Sequence, residues 1–337
     1  MADDQIGFVV IGRNEGVRLR RCFESLSKFR NAKIVYVDSG STDGSIALAK
    51  SFNYGVVNLN LETPFTAARA RNAGVAFLRG CVEFEYIQFL DGDCELIEGW
   101  IPSAVDFLER RKDVAVVCGR RREKFPYHSV YNRLADIEWD TPVGEAKSCG
   151  GDSFIRREAF EKVGGFDPTI VAGEEPDLCF RIIEAGWKVW RIDQDMSRHD
   201  ADMHSFRQWW MRGVRAGYAM VQVAILKSTS RRVVYGELIA RTIFWALIVP
   251  LLVSLSATIS WAGLAFALIY VFQIFRIQRN VRIRGRSAWL YAMFVVLDNF
   301  PRLCGAAKYF LQRITGKRQA PIEYKSRAPP RKLDRFE

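Results

Sequence analysis

Two aspartates one residue apart, Asp91 and Asp93, have the types and spacing that most directly suggest chemistry. They follow the apolar run Tyr86–Leu90, which has the length and composition of a buried strand. Carboxylate oxygens bind hard divalent cations, and such an ion keeps positions free for phosphate oxygens. The pair therefore predicts a metal site for a phosphorylated ligand, although Asp-Gly-Asp is also ordinary turn chemistry.

Asp38 occupies the same kind of position, because it ends the short β-rich run Ile34–Val37 and enters the small-residue turn Ser39–Ser45. Small residues let a ligand approach the backbone closely, so this carboxylate could accept a hydrogen bond from a nucleobase or ribose. A capped turn is the alternative, since an aspartate or serine of the turn could cap the next helix. Arg13–Gly16 ends the first predicted strand in the same way, beside Asp38 in a parallel sheet.

An arginine and two glutamates are candidates for contacting a phosphate and for moving a proton. Arg71, on a predicted helix, could pair with a diphosphate, although a solvated arginine fits the sequence equally well. Glu174 and Glu175 follow a glycine-rich loop and precede the predicted helix Asp177–Ala185. The helix dipole favours acids there. The sequence nevertheless predicts an exposed catalytic position, in which one carboxylate acts as a general base.

Two of the three histidines are candidate metal ligands. His199 follows the predicted strand Val189–Ile192 and could complete a metal site with Asp93. His204, which begins the helix containing Trp209, is the weaker candidate. An ordinary surface histidine is the alternative for both.

The elements that must position these residues alternate between strand and helix through the first half of the chain. This rhythm predicts an α/β domain with a mainly parallel, Rossmann-like sheet covered on both faces. Ligands of such sheets bind beyond the carboxyl ends of the strands, where Asp38 and Asp91 fall. The predicted strands are Ile6–Ile11, Ile34–Val37, Gly55–Leu59, Tyr86–Leu90 and Val114–Cys118, and the predicted helices are Val17–Phe29, Ser45–Phe52, Ala67–Leu78 and Trp100–Arg110.

The character of the chain changes after about residue 231. Thr242–Phe275 contains 34 residues without a charged side chain, interrupted by Pro250. One spanning helix needs about 20 apolar residues, so this length predicts a hairpin or a re-entrant pair of helices. Its flanks are basic, which by the positive-inside rule puts both ends on the cytoplasmic side. Ala288–Leu311 contains charged residues and is interpreted as an interfacial helix or a broken one. Core helices of a soluble domain are the alternative.

Charge and cysteine content narrow the class of protein further. The net charge is +11, and the basic excess lies beside the apolar C-terminal segments, with five arginines and no acid in Arg276–Arg286. This distribution favours an anionic membrane surface, and no nucleic-acid-binding motif accompanies it. The seven cysteines are scattered without a C-x-x-C pair, so the sequence predicts neither a zinc site nor a disulfide framework. No signal peptide is expected at the N-terminus.

Taken in order, these segments resemble the motifs of family 2 glycosyltransferases with a GT-A fold, over roughly residues 5–215. The segments that carry the resemblance are Ile11–Glu15, Val37–Gly44, Ala70–Gly74, Leu90–Asp93, Gly164–Asp167 and Gly173–Leu178. The resemblance implies an inverting transferase that uses a nucleotide sugar and Mg²⁺ or Mn²⁺.

It also implies roles for individual residues. The donor-binding residues would be Glu15 and Asp38 at the nucleoside, Arg71 at the diphosphate, Asp91 at the ribose or sugar and Asp152 on the donor-sugar side. Asp93 and His199 would bind the metal. The family's base is commonly the aspartate of a Glu-Asp pair, and Glu175 stands at that position beside Glu174. This departure leaves open which glutamate is the base.

Together these observations predict a glycosyltransferase domain over residues 1–230, a membrane hairpin with an interfacial helix over 231–315, and a basic tail over 316–337. The Gln208–Arg212 segment lacks the Gln-x-x-Arg-Trp pattern of processive synthases. We therefore expect transfer of one sugar to a polyprenyl-diphosphate-linked saccharide, for exopolysaccharide or lipopolysaccharide synthesis, at the cytoplasmic face of the inner membrane. A polyprenyl-phosphate monosaccharide synthase, a non-catalytic nucleotide-sugar sensor and a membrane scaffold are the alternatives. The hairpin could equally hold together a homo-oligomer.

Overall fold

The computed structural model describes residues 3–63, 65–225 and 229–316, and its centre is one nine-stranded sheet. The strands run in the order β3-β2-β1-β4-β8-β6-β9-β5, and β7 pairs with β9. Their bounds are β1 Ile6–Gly12, β2 Lys33–Asp38, β3 Gly55–Asn58, β4 Tyr86–Asp91, β5 Cys94–Leu96, β6 Val114–Glu123, β7 Gly144–Ala146, β8 Ser153–Arg156 and β9 Lys188–His199.

The α/β fold class is confirmed, and the sheet is mixed. It is parallel from β3 through β2 and β1 to β4, where the candidate ligand-binding strands lie. Beyond β4 only β6 and β9 pair in parallel, while β8, β5 and β7 join antiparallel. These last three strands are three or four residues long, too short for the alternation of side chains to predict them from the sequence.

Helices cover both faces of the sheet and close two apolar clusters. One cluster packs β1 and β2 against α1, α2 and α4, and the other packs the opposite faces against α3, α6 and α7. Gly74 lets α3 approach β1, because a Cβ there would lie 2.4 Å from Val9 Cγ1. The helices are α1 Val17–Leu26, α2 Ser45–Ser51, α3 Ala67–Arg79, α4 Trp100–Arg110, α5 Val130–Glu138, α6 Arg157–Lys162, α7 Glu174–Glu184 and α8 Phe206–Ile225.

Three sequence expectations about element bounds are corrected. β9 runs to His199 and β6 runs to Glu123, well past the expected ends at Ile192 and Cys118. The prediction ended both strands too early because charged side chains interrupt their apolar pattern. α7 begins at Glu174 and not at Asp177, because proline is tolerated in the first turn of a helix. The two glutamates therefore lie in the helix and are buried, not exposed as the sequence suggested.

Five further helices follow α8. They are α9 Thr229–Ile243, α10 Val249–Ile259, α11 Leu268–Asn280, α12 Arg286–Leu297 and α13 Asn299–Ile314, with a π-helical turn at Phe244–Ile248 and a 3₁₀ segment at Trp261–Ala267. Two stretches, Tyr235–Ile259 and Trp261–Asn280, are long and apolar enough to cross a membrane, and little of either is buried. The membrane hairpin expected from the sequence over this part of the chain stays a prediction. The predicted basic tail lies, from residue 317, outside the described residues.

The third apolar segment is broken into α12 and α13, and α13 packs against α8. The contact is close because each helix has a glycine that faces the backbone of the other helix. A Cβ at Gly217 would lie 2.0 Å from the carbonyl oxygen of Arg302, and one at Gly305 would lie 2.0 Å from that of Val214. The C-terminal helix is therefore attached to the α/β domain through α8.

Candidate active site

The carboxyl ends of β2, β1 and β4 meet at one edge of the sheet and place Asp38 and Asp91 there. The register pairs Gly12 with Asp38 on one side and Ile11 with Asp91 on the other. Asp38 is 3% exposed and accepts hydrogen bonds from the Tyr36 hydroxyl and from the backbone N–H groups of the following turn, at 2.8–3.0 Å. Asp38 thus orders the turn that would face a nucleoside.

The loop after β1 is clasped to the turn after β2. Asn14, at a φ of 56°, accepts a hydrogen bond from the Thr42 N–H at 2.7 Å, and Asp43 accepts one from the Gly16 N–H at 3.1 Å. Glu15 lies between the ends of β1 and β4, because a Cβ on Gly92 would lie 3.5 Å from its Cγ. Glu15 also forms an ion pair with Arg18 at 2.9 Å. The clasp brings the two predicted nucleoside-binding carboxylates to the same edge.

Arg71 is the centre of a buried ion-pair network. Its side chain donates to Asp91 Oδ1 at 2.8 Å and to Glu174 Oε1 at 2.7 Å, and its guanidinium group lies over the Phe166 ring. Burial works against the charge, but the two carboxylates outweigh it and raise the pKa of Arg71 above its usual value. The permanently charged guanidinium group of Arg71 therefore joins Asp91 to Glu174, which is 103 positions away from Arg71 in the chain.

Asp152 and Arg121 extend this network on the other side of Asp91. Asp152 is fully buried and accepts hydrogen bonds from the Asp91 N–H at 3.0 Å and from the Ser197 hydroxyl at 2.6 Å. Arg121 lies 3.1 Å from Asp152 and 3.9 Å from Asp91, with its guanidinium group over the Trp139 ring. The sequence did not point to Arg121 or Trp139, because a basic residue in a strand carries no motif of its own.

Asp93 and His199 meet as expected for a shared metal site. Asp93 Oδ2 lies 3.2 Å from His199 Nε2, and both side chains are buried. They come together because β5 and β9 pair with Cys94 opposite His199. Glu123 lies 3.9 Å from the second ring nitrogen, and Trp139 packs edge-on to the imidazole. His204 lies elsewhere, paired with Asp202 at 2.7 Å.

Glu174 and Glu175 have different surroundings although they are adjacent. Glu174 is held by Arg71, whereas Glu175 Oε1 accepts a hydrogen bond from the Cys149 N–H at 2.5 Å and contacts Cys179 Sγ at 3.1 Å. The glutamates begin α7 after Gly173, whose φ of 86° is readily adopted only by glycine. Glu174 is therefore engaged by a guanidinium group, whereas the Glu175 contacts named here are to neutral groups.

Two family profiles match overlapping parts of the chain. The profile described as Glycosyl transferase family 2 matches residues 8–164, and the profile of Glycosyl transferase family group 2 matches residues 101–275, more than half of the chain. The fold and the matching profiles define the class, an α/β enzyme that transfers sugars. The chain belongs to glycosyltransferase family 2 and is a glycosyltransferase.

Individual relatives act in several biosynthetic systems. Glycosyltransferase AglE of Haloferax volcanii is 24% identical over 66% of this chain and 75% of its own length. The pre-mycofactocin glycosyltransferase of Mycobacterium tuberculosis is 28% identical over 64% of this chain, which spans only 47% of that protein. The O-antigen chain rhamnosyltransferase WbaN of Salmonella anatum is 24% identical over 58% of this chain and 67% of its own length.

One solved structure resembles almost the whole chain. The mannosyltransferase PcManGT from Pyrobaculum calidifontis, solved with GDP-Man and Mn²⁺, has a TM-score of 0.58 and 15% identity, covering 92% of this chain and 88% of its own. At this identity the likeness establishes the GT-A fold and no more.

Proposed function

We propose that this enzyme moves one sugar, with inversion, from a nucleotide sugar to a polyprenyl-diphosphate-linked saccharide during synthesis of a cell-surface polysaccharide. The observation that carries the proposal is the edge of the sheet where Asp91 meets two arginines beside the buried Asp93–His199 pair. Carboxylates for a nucleoside, cations for a diphosphate and a base for an acceptor all lie along this edge. The names of relatives in O-antigen and succinoglycan synthesis support the choice of a saccharide acceptor.

In this proposal Glu15 and Asp38 hold the nucleoside, and Asp152 orders the donor-sugar side by fixing Asp91 and Arg121. Arg71 and Arg121 supply positive charge next to the departing diphosphate. Both arginines contact two carboxylates, but Arg121 is more exposed and lies farther from Asp91, so it is the better placed of the two to contact a phosphate oxygen.

The residues present fit a divalent cation. Asp93 and His199 offer one carboxylate oxygen and one imidazole nitrogen 3.2 Å apart. The carboxylate suits either Mg²⁺ or Mn²⁺, and the imidazole favours Mn²⁺, the transition metal of the two. The carboxylates of Asp91, Asp93, Asp152 and Glu174 outnumber the guanidinium groups of Arg71 and Arg121 by two, so a divalent cation would balance the local charge. When bound, the cation supplies charge neutralisation at the diphosphate.

Glu175 is the proposed base. It would accept the proton of the acceptor hydroxyl as that oxygen attacks the anomeric carbon from the face opposite the diphosphate. Glu174 would act on the donor side by holding Arg71 in place. The Cys149 N–H fixes one oxygen of Glu175, which keeps the carboxylate oriented for this transfer.

A second candidate is a polyprenyl-phosphate monosaccharide synthase. It is favoured by the burial of Glu175, which is 8% exposed with Oε1 already engaged, because an acceptor that is already an anionic phosphate needs no strong base. Replacing Glu175 with Gln distinguishes the two. Nearly complete loss of turnover supports the hydroxyl acceptor, and substantial residual turnover supports the phosphate acceptor.

Membrane association is part of the proposal. The apolar stretches Tyr235–Ile259 and Trp261–Asn280 would anchor the enzyme as a hairpin. The arginines of Arg276–Arg286, which lie at the end of the second stretch and directly after it, would contact anionic lipid at the cytoplasmic face of the inner membrane. The hairpin brings the catalytic domain close to lipid-linked acceptors.

The test is release of nucleotide diphosphate by the purified chain in detergent. UDP-, GDP- and dTDP-sugars are screened with Mn²⁺ and a polyprenyl-lipid extract. We expect release from one donor that the lipid stimulates and that Asp93→Asn abolishes. Release that is independent of lipid, or undiminished in Asp93→Asn, would contradict the acceptor or the metal site respectively. Metal-dependent nucleotide binding without turnover of any donor would favour the sensor.

A further inference from the structure

We propose that Cys149, Glu175 and Cys179 form a binding site for a thiophilic divalent cation such as Zn²⁺, and that a cation bound there inhibits the enzyme. The candidate ligand atoms of the three residues lie within 4.8 Å of one another. The two sulfur atoms are 3.5 Å apart, and Cys179 Sγ is 3.1 Å from Glu175 Oε1. All seven cysteines lie in the described part of the chain and are free thiols.

These separations are close to those of a zinc site. Zinc–sulfur bonds of about 2.3 Å and zinc–oxygen bonds of about 2.0 Å, set tetrahedrally, place two sulfurs about 3.8 Å apart and a sulfur and an oxygen about 3.5 Å apart. The observed distances fall short of these by about 0.3–0.4 Å, which small side-chain rotations would supply. Three protein ligands leave the fourth position for water.

The fold explains why no sequence motif predicts this site. Glu175 and Cys179 lie four residues apart, on one face of α7. Cys149 belongs to the segment before β8, 30 residues from Cys179, so no short Cys-x-x-Cys motif marks the cluster. Cys149 is partly exposed and offers a route of entry for a cation, while Cys179 is buried.

Two sulfur ligands distinguish this site from the Asp93–His199 pair, which has a single cysteine, Cys94, beside it. Thiolates select Zn²⁺ over Mg²⁺ and Mn²⁺, so excess Mg²⁺ should not compete for this site. Binding would release the two thiol protons to solvent, because only thiolates ligate the metal.

The inhibitory part rests on the proposed function, because it assumes that Glu175 is the base. A carboxylate that ligates a cation cannot accept the proton of the acceptor. The Cys149 segment also abuts the donor side of the site, since a Cβ on Gly151 would lie 2.8 Å from Arg71 Nη2 and 3.0 Å from Asp91 Oδ2. A cation there would therefore hold both the base and the segment beside the donor.

Binding is measured on the full chain in detergent, fully reduced and with excess Mg²⁺. Co²⁺ serves as the coloured probe, and Zn²⁺ then displaces it. We expect one Co²⁺ per chain with sulfur charge-transfer absorbance. In Cys149→Ser this absorbance should fall and the Zn²⁺ affinity should weaken at least about 100-fold. Removing a residue that only hydrogen-bonds to a metal ligand already weakens metal affinity about 10–100-fold, and Cys149 would be a ligand itself. Cys81→Ser, at an exposed cysteine outside the cluster, is the matched control and should bind like the unmodified chain.

Inhibition is measured as the rate with Zn²⁺ divided by the rate of the same protein without it. The unmodified chain and Cys81→Ser should lose activity and regain it with a chelator, whereas Cys149→Ser should need at least about tenfold more Zn²⁺. Cys179→Ala, judged by the same ratio, provides a second ligand variant if Cys149→Ser folds poorly.

Three results would overturn the proposal in distinguishable ways. Equal Zn²⁺ affinity in Cys149→Ser and the unmodified chain would remove the site. Sulfur absorbance that is lost only in Asp93→Asn would assign the ion to Asp93, Cys94 and His199 instead. Thiol-dependent binding without inhibition would overturn the inhibitory part and the role of Glu175 as base, whereas absent binding in an active enzyme would leave the proposed function intact.

Discussion

Replacing Arg71 with Met should destabilise the α/β domain far more than the loss of an ordinary ion pair would. Arg71 is 2% exposed and forms two short ion pairs, with Asp91 at 2.8 Å and Glu174 at 2.7 Å. Methionine keeps much of the apolar stem but leaves both carboxylates without their counter-charge. Removing one partner from a buried pair costs about 3–5 kcal/mol. For a domain of this size, that loss corresponds to a fall of about 6–20 °C in Tm.

The assay is thermal unfolding followed by circular dichroism in detergent, with a matched ion pair as control. Arg110 and Asp106 are also 2.7 Å apart, but their side chains are 76% and 52% exposed, so Arg110→Ala should cost about 0.5 kcal/mol or less. Adding Glu174→Gln to Arg71→Met should restore part of the loss, because it removes one of the stranded charges. A fall in Tm for Arg71→Met that is no larger than the fall for Arg110→Ala would refute the prediction.

Three further predictions concern other parts of the molecule. Gly217→Ala should release α13 from α8, because its Cβ would lie 2.0 Å from a carbonyl oxygen; proteolysis after α8 should accelerate, while Gly236→Ala, in open space, should not change it. Burial raises the pKa of Tyr218 to about 12, so the folded chain should lose stability as pH rises from about 10 to about 12. Tyr218→Phe should reduce that loss in a pH series of Tm values, because Tyr54 and Tyr86, whose pKa values burial also raises to about 12, still contribute to it. An unchanged pH dependence would contradict the assignment. Asp38→Asn should cost about 1 kcal/mol and weaken nucleotide binding measured by calorimetry, because the amide keeps an oxygen for the backbone N–H donors but loses the negative charge that strengthens those hydrogen bonds; equal affinity would exclude Asp38 from the nucleoside site.

The strand-end carboxylates could be predicted from the sequence because a physical rule connects them. Asp38 and Asp91 each follow a short apolar run, and parallel strands bring their carboxyl ends to one edge. From the residues alone both His199 and the weaker candidate His204 could have joined Asp93, and the family resemblance pointed to His199. The contact itself depends on β5 joining β9, and β5 is too short to predict.

The residues that the sequence did not reveal owe their roles to contacts across the fold. Arg121 lies in a strand whose charged residues resemble a solvated edge, yet it contacts two buried or partly buried carboxylates. The two adjacent glutamates differ in their contacts, since Glu174 pairs with Arg71 whereas Glu175 contacts Cys149 and Cys179. Pairings over such distances in the chain leave no local periodicity, so pattern alone could not have assigned them.

The helix α8 connects the proposed base to the C-terminal helices. Gln222 on α8 accepts a hydrogen bond from the Val171 N–H and donates one to the Thr169 carbonyl, both at 3.1 Å, so it holds the loop that leads into α7. A Cβ on Gly173, the residue directly before the two glutamates, would lie 3.0 Å from Val223 Cγ2 on the same helix. On its other side α8 packs against α13, which follows the apolar hairpin in the chain. Because α8 contacts both the loop into α7 and α13, packed contacts link the proposed base to the last described helix. If, as proposed, the acceptor is held in a membrane, these contacts would help to set the height of Glu175 above the lipid.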